Sequence, residues 1–251
     1  HSQEGSQEVT KLLDVGAFDG PKPTRLLDRL ITLANTDKDS IILDFFSGSA
    51  TTAHSVMKKN VEDGGKRKYV MVQLPEESDK KSIAYKAGYK NICEIGKERI
   101  RRAAKKIAEE NPEAKFDGGF RVLKCDTSNM KEVYYNPAEY EPSLFSRLED
   151  NIKEDRTPED LLFQVMLDLG VLLSSKIEET TIAGKKVFNV EDNNLIACFD
   201  DNVTEEVITE IAKQKPYYFV MRDSSMANDS VATNFEQIFA AYSPDTVRKV
   251  L

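Results

Sequence analysis

The segment from Ile41 to Thr52 limits the possible fold of this chain more than any other. Its apolar residues lead to an acid, Asp44, and a run of small residues, Ser47-Gly48-Ser49-Ala50, begins three positions later. Ser40 to Phe46 is predicted to be a short buried strand, and a helix is predicted from about Thr51 to Asn60. The segment therefore predicts a strand–loop–helix unit with an acid at the end of the strand.

Further elements are predicted on both sides of this unit. Leucines at helical spacing predict a helix from Arg25 to Ala34. Lys68 to Leu74 is rich in β-branched and aromatic residues and predicts a second strand, which completes a βαβ unit. A long helix is predicted to end before Asn111-Pro112, and its polar face is expected to carry Lys97, Arg99, Arg101, Arg102, Lys105 and Lys106.

The charge of the chain changes near Gly118-Gly119. Residues 1–118 hold 21 Lys and Arg against 19 Asp and Glu, while the remainder holds 14 against 24. A net charge of −10 makes that second part a poor partner for a polyanion. We predict a leader or tag remnant at 1–19, an α/β segment at 20–118, a connector at 119–156 and a small α/β domain at 157–251.

The predicted small domain alternates helices and strands. Thr157 and Pro158 are typical of a helix start. Lys186 to Val190 and Leu195 to Phe199 are predicted strands on either side of Asp192-Asn193-Asn194, and together they predict a hairpin. A helix, a strand, a helix and a last strand are then predicted between Thr204 and Leu251. Phe120 to Cys125, at the start of the connector, is also strand-like.

Composition excludes several classes of protein. No apolar stretch approaches the ~20 residues that span a bilayer. Cys93, Cys125 and Cys198 are an odd number of widely spaced cysteines, a pattern that argues against a disulfide framework and against a zinc site. We therefore expect a cytoplasmic protein without a membrane segment or a metal.

The predicted loop suggests a ligand that resembles an amino acid. Backbone N–H groups at a helix start favour a carboxylate or a phosphate, and the acid at the strand end can accept from an ammonium group. The chain has no phosphate-loop pattern, and this loop has one glycine where a dinucleotide fingerprint needs three. S-adenosylmethionine fits better than a pyrophosphate, although a tight turn with Ser and Thr caps would explain the loop alone equally well.

The sequence Asp44-Phe45-Phe46-Ser47-Gly48-Ser49-Ala50-Thr51-Thr52 resembles motif I of amino-methylating DNA methyltransferases, in the form found in type III restriction-modification Mod subunits. Lys22-Pro23-Thr24-Arg25-Leu26-Leu27 is similar to motif X of that family. Tyr69 to Glu76 and Tyr85 to Arg101 resemble the segments that follow in these subunits. The resemblance implies a partial Rossmann-like methyltransferase sheet, an adenine-N6 DNA methyltransferase parent and S-adenosylmethionine as the cofactor.

Motif X before motif I implies the permuted β-class order, in which the catalytic motif precedes both. That motif, Asp/Asn/Ser-Pro-Pro-Tyr/Phe, holds a flipped adenine, and no Pro-Pro occurs in the chain. Asn136-Pro137-Ala138-Glu139-Tyr140 lacks the second proline and is interpreted as a turn. We therefore assign no catalytic residue and expect this sequence alone to be inactive.

The resemblance also implies the residues that hold the cofactor. Lys22, Pro23 and Thr24 would flank its methionine end, Asp44 would meet its amino group, and Gln73 would face the ribose without the charge of the usual acid. The loop itself would be lined by Phe45, Phe46, Ser47, Gly48, Ser49 and Thr51, with Phe45 and Ala50 in place of the family's usual proline and second glycine.

The partners implied are duplex DNA, the restriction subunit of the same system and a second Mod copy in a homodimer. The main alternative is a module without catalysis that mediates Mod–Mod or Mod–restriction-subunit contacts. A nucleotide-dependent oxidoreductase is a third interpretation. His54 is expected to be a packed or solvated helix residue, and the basic face of the long helix is expected to be mostly solvated.

Overall fold

The computed structural model describes residues 2–131 and 151–251, and these divide into two compact units, His1–Leu123 and Lys124–Leu251. Both units combine helices with strands, so the chain is an α/β protein as predicted. In the part of the chain that the structure describes, no helix is both long and apolar enough to cross a membrane.

The first unit is built around two parallel strands. Its helices are α1 (Ser2–Leu13), α2 (Thr24–Leu33), α3 (Thr51–Asp63), the short α4 (Ile83–Lys86) and α5 (Ile92–Glu110). Strands β1 (Ile41–Phe45) and β2 (Lys68–Val72) pair in parallel, with Ile41 opposite Lys68 and Phe45 opposite Val72. Because α3 connects β1 to β2, the predicted βαβ unit is confirmed.

Helices α3 and α5 form the core beneath this sheet. Their buried apolar side chains pack together, and Tyr69 and Met71 of β2 pack against them. Gly96 on α5 allows a close approach, because a Cβ there would lie 3.4 Å from the Gly48 carbonyl oxygen. The core therefore lies directly behind the loop that joins β1 to α3. The cluster consists of Ala50, Ala53, Met57, Ile100, Ala103 and Ile107.

The other face of the β1–β2 sheet is exposed. Both strands alternate between exposed and half-buried residues, although Ser40 to Phe46 was predicted to be buried throughout. That prediction is wrong for every second residue, because α3 and α5 pack against only one face of the strands. The exposed apolar side chains of this open face are Ile41, Leu43, Phe45, Val70 and Val72.

Residues 1–19 were predicted to be a leader, but residues 2–13 form α1, which packs against α5. Val9 and Leu13 are buried in a cluster with Ala84 and Ile95. This part of the prediction is therefore wrong: the apolar residues of α1 belong to the core of the first unit.

The second unit contains a mixed sheet with helices. Its described elements are α6 (Pro158–Asp168), β3 (Ile177–Ile182), β4 (Lys185–Val190), β5 (Leu195–Cys198), α7 (Glu205–Lys213), β6 (Tyr218–Met221), α8 (Asp229–Tyr242) and β7 (Val247–Val250). The strands lie in the order β3-β4-β5-β6-β7. Pairing is antiparallel from β3 to β5 and parallel from β5 to β7.

Most predictions for the second unit are confirmed. Thr157 and Asp160 form a capping box at the start of α6, and β4 and β5 form the predicted hairpin. β3 was not predicted. The described residues 120–125 contain no strand, so the strand predicted from Phe120 to Cys125 is wrong. The proposed turn at residues 136–140 lies outside the described residues.

A matched pair of substitutions tests whether the open sheet face is uncovered. Val72 is 50% exposed on that face and Val56 of α3 is 0% exposed. Val→Thr keeps the shape of the side chain but adds a hydroxyl, which must be desolvated when it is buried. We expect Val56→Thr to lower the free energy of unfolding by about 1–3 kcal/mol. Val72→Thr should change it by less than about 0.5 kcal/mol.

Urea denaturation followed by circular dichroism measures both values. Equal losses for the two variants would show that the face around Val72 is covered in solution, contrary to the described fold.

Candidate functional site

The loop between β1 and α3 has an unusual backbone. Phe46, Gly48 and Ala50 have φ angles of 72°, 53° and 57°, in the left-handed region. Only Gly48 reaches this region without a steric cost, and each of the other two costs on the order of 1–2 kcal/mol. Such strain persists only where surrounding contacts impose it, and it is common at functional sites.

Contacts from β2 hold the loop in this conformation. The Phe46 and Ser47 N–H groups both donate to the Val72 carbonyl oxygen, at 2.9 and 3.1 Å. The Gly48 N–H donates to Oε1 of Gln73 at 2.8 Å. The Gln73 side-chain nitrogen donates to the Leu74 carbonyl oxygen at 3.2 Å. Gln73, predicted to face the ribose, therefore acts in this structure as a clamp on the loop.

Asp44 lies where β1 reaches the loop and lines a shallow cleft of about 320 Å³. Its Oδ2 accepts a hydrogen bond from the Thr52 hydroxyl on the first turn of α3. The cleft runs between α2 and β1, and the loop residues 46–50 do not line it. Its other lining residues are Leu27, Leu30, Ile31, Ala34, Thr36, Ile42, Leu43 and Thr52.

The motif X segment lies against the start of α3. The Thr51 hydroxyl donates to the Lys22 carbonyl oxygen at 3.1 Å, and the Ser55 hydroxyl donates to the Thr24 carbonyl oxygen at 3.2 Å. Pro23 is buried between these contacts, while Lys22 is exposed. The structure therefore brings the two predicted cofactor-binding segments, Lys22 to Thr24 and the loop, to the same helix end.

That end of α3 lacks a side-chain cap. Its N-cap residue is Ala50, whose side chain has no oxygen to accept from the first-turn N–H groups. Helix N-termini carry a partial positive charge, which favours an anion nearby. Asp44 on one side and the α3 N-terminus on the other thus place a negative and a positive group next to each other.

Of the remaining predicted site residues, two are exposed and two are buried. Phe45 and Phe46 are 66% and 73% exposed, with ring centroids 6.1 Å apart. Ser49 and Thr51 are buried at 2% and 5% exposure, facing inward. Their hydroxyls accept hydrogen bonds from Nη1 of Arg99, at 2.9 and 2.7 Å. Ser49 and Thr51 therefore stabilise the loop through buried hydrogen bonds to α5.

Sequence analysis missed the role of Arg99, which it placed on the polar face of the long helix. Arg99 is 0% exposed, and burial lowers the pKa of its guanidinium to about 10, partly opposed by Glu8. At neutral pH the group therefore stays charged. The available signal was spacing, because Arg99 lies four residues from both Ile95 and Ala103, on the buried face of α5.

Two other sequence-based expectations agree with the structure. Burial lowers the pKa of His54 to about 3, with Arg99 nearby as the next cause, so the imidazole is neutral and packed. On the outer face of α5, Lys105 and Lys106 pair with Glu109 and Glu110 one turn later. That face is therefore largely neutralised rather than arranged to contact phosphates.

Among the described residues, no cluster of three or more His, Cys, Asp or Glu side chains is arranged to hold a metal ion. The polar groups of the loop region are carboxylate, amide, hydroxyl and backbone groups, which can bind an organic zwitterion.

Comparison with known proteins agrees with the geometry of the first unit. Residues 1–106 match a family model described as DNA methylase, N6_N4_Mtase. The chain is 48% identical over 132 residues to the type III restriction-modification enzyme StyLTI Mod subunit of Salmonella typhimurium, an alignment covering 53% of this chain and 20% of that protein.

Two further relatives are more distant. The EcoPI Mod subunit of Escherichia phage P1 is 33% identical over 177 residues, which cover 70% of this chain and 27% of that protein. The type II methyltransferase M.KpnI of Klebsiella pneumoniae is 36% identical over 95 residues, 38% of this chain and 22% of that protein. The chain therefore spans about a quarter of the length of these curated relatives, or less. Residues 1–106 are therefore similar to the N6/N4 DNA methylases, and the chain is similar to part of the Mod subunits of type III restriction-modification enzymes.

Proposed function

We propose that the first unit is the S-adenosylmethionine-binding part of an adenine-N6 DNA methyltransferase of a type III restriction-modification system. The observation that carries the proposal is the position of Asp44 beside the uncapped N-terminus of α3. A carboxylate repels a phosphate but accepts from an ammonium group, and the helix end favours a carboxylate. An amino-acid zwitterion, such as the methionine end of the cofactor, complements both.

The cofactor would be held by three groups of residues. Asp44 would accept from its ammonium group, and the backbone from Lys22 to Thr24 together with the start of α3 would meet its carboxylate. The adenosine part would extend into the cleft between α2 and β1, whose side chains are mainly apolar. When bound, the cofactor supplies the methyl group, while these residues orient its sulfonium centre and exclude water.

The open sheet face supports a second part of the proposal, that the active site is completed by residues outside this sequence. Leu43, Phe45 and Val72 are at least 50% exposed on the two-stranded sheet. Parallel sheets in α/β proteins are covered on both faces. A Rossmann-like sheet with more strands and a covering layer would bury this face, and the added segment would carry the missing adenine-binding Pro-Pro motif.

The second unit is proposed to contact protein partners rather than DNA. It has its own sheet and two apolar clusters. From residue 119 onward the chain carries 14 basic against 24 acidic residues, which disfavours a phosphate backbone. The relatives' names describe subunits of restriction-modification enzymes, so a restriction subunit or a second Mod copy is the proposed partner, and DNA is the proposed substrate of the completed enzyme.

Isothermal titration of the 251-residue chain with S-adenosylmethionine tests the cofactor site. Asp44→Asn keeps an oxygen that can accept from Thr52 but removes the charge. Loss of a charge-assisted hydrogen bond costs about 1.5–3 kcal/mol, so the dissociation constant should rise at least about tenfold. Asp39→Asn, in the exposed turn before β1, is the control and should leave it unchanged.

Two results would contradict this proposal. One is the absence of binding by the unsubstituted chain. The other is equal affinity of the unsubstituted and Asp44→Asn chains. Binding of NAD in competition with S-adenosylmethionine would instead favour an oxidoreductase.

A methyl-transfer assay tests whether the active site needs residues outside this sequence. With tritiated S-adenosylmethionine and adenine-containing duplex DNA, the chain alone should transfer no detectable label, because it lacks the groups that hold the flipped base. A polypeptide in which this chain follows a segment with Asp/Asn/Ser-Pro-Pro-Tyr/Phe should label adenine N6. Transfer by the 251 residues alone would show that they contain a complete active site.

A further inference from the structure

A buried cation connects the elements around the loop. Arg99 of α5 is fully buried, and removing an arginine from water costs several kcal/mol unless good partners replace the water. Its Nη1 donates to Ser49 and Thr51, at 2.9 and 2.7 Å. Its Nη2 lies 3.6 Å from Oε2 of Glu8, which comes from the distant helix α1. Arg99 therefore joins the loop to α1.

Glu8 has a second set of partners at the motif X segment. Its Oε2 accepts from the Thr24 N–H at 2.9 Å, and its Oε1 accepts from the Thr24 hydroxyl at 3.1 Å. The N-cap residue of α2, Pro23, provides no side-chain cap of its own. The carboxylate of Glu8 thus caps α2 from another helix, where it also stabilises the positive helix end.

These contacts form a closed circuit. Thr24 binds Glu8, Glu8 pairs with Arg99, and Arg99 binds Thr51. The Thr51 hydroxyl returns to the motif X segment by donating to the Lys22 carbonyl oxygen at 3.1 Å. The circuit includes both backbone segments assigned to the methionine end of the cofactor, and neither Arg99 nor Glu8 is among the residues assigned to touch it.

Close packing at two glycines shows that both helices are held against those segments. A Cβ at Gly5 of α1 would lie 2.0 Å from the Pro21 carbonyl oxygen. A Cβ at Gly96 of α5 would lie 3.6 Å from Cβ of Ala50. At Gly5 there is no space for a Cβ, and at Gly96 a Cβ would make an ordinary van der Waals contact. Helices α1 and α5 therefore both pack directly against these segments, and displacement of either helix would be transmitted to the motif X segment or to the loop.

We propose that Arg99 and Glu8 are positioning residues that set the distance between the motif X segment and the loop, and so determine the affinity for the methionine end of the cofactor. This inference rests on the proposed function. A ligand that must contact the motif X segment and the loop at once loses much of its affinity when either segment is displaced slightly. The adenosine part, which is assigned to a different set of residues, should be little affected.

Two ligands distinguish an effect on the position of the binding groups from a general loss of stability of the fold. S-adenosylhomocysteine contains the amino-acid end, while 5′-methylthioadenosine has the same adenosine thioether without it. In Arg99→Met, at a temperature where circular dichroism shows the chain folded, we expect affinity for S-adenosylhomocysteine to fall about tenfold or more. Affinity for 5′-methylthioadenosine should change by less than about twofold, because this ligand lacks the amino-acid end whose binding Arg99 is proposed to affect.

Arg67→Met is the matched control. The Arg67 side chain is 4% exposed and donates to both carboxylate oxygens of Asp63 at 2.9 Å, at the end of α3 away from the loop. Its loss should lower the melting temperature but leave the ratio of the two affinities unchanged. Arg99→Lys, which keeps the charge opposite Glu8, should restore part of the ratio.

If Arg99→Met does not fold, Glu8→Gln provides the same test, because glutamine can still accept from Thr24 but has no charge for Arg99. Its expected effect has the same direction. An unchanged ratio in the folded variant, with normal binding by the unsubstituted chain, would overturn this inference and leave the proposed function intact. Absence of S-adenosylhomocysteine binding by the unsubstituted chain would reject the proposed function and the inference together.

Discussion

The left-handed backbone of the loop between β1 and α3 is the constraint on which the first unit depends. Phe46 and Ala50 adopt this conformation at a cost, and the cost is offset by bonds from outside the loop. Val72 and Gln73 hold it from β2, while Arg99 holds its hydroxyl side chains from α5. The turn therefore owes its shape to tertiary contacts, and it places Asp44 next to an uncapped helix end.

The β1–β2 sheet of the first unit is packed against helices on one side and exposed on the other. Side chains that face α3 and α5 are well packed, whereas Leu43 and Phe45 project from the opposite face at 58% and 66% exposure. Large contiguous apolar surfaces of this kind mark interfaces. We propose that the Asp44 end of this sheet holds the cofactor and that its exposed apolar face is covered by the rest of an enzyme.

Much of the fold was predictable because the relevant signals are local. Alternation of apolar residues, the Thr157–Pro158 start and the Asn-rich turn each determine an element within a few residues. What was missed depends on contacts distant in sequence. Helix α1 has few apolar residues, and its burial at Val9 and Leu13 requires α5. The burial of Arg99 depends on partners 48 to 50 residues away.

The same distinction applies to the candidate site. Motif similarity identified Asp44 and the segment from Lys22 to Thr24, and the structure brings the start of α3 to both. Motif similarity could not show that Gln73 clamps Gly48, or that Ser49 and Thr51 face inward, because side-chain direction in an irregular loop has no sequence period.

A crystal structure of the chain with S-adenosylhomocysteine tests the central claim most directly. The account predicts the ligand's ammonium group within hydrogen-bonding distance of an Asp44 carboxylate oxygen and its carboxylate at the start of α3. Ligand bound with its amino-acid end away from Asp44, or at a different surface of the first unit, would contradict the account.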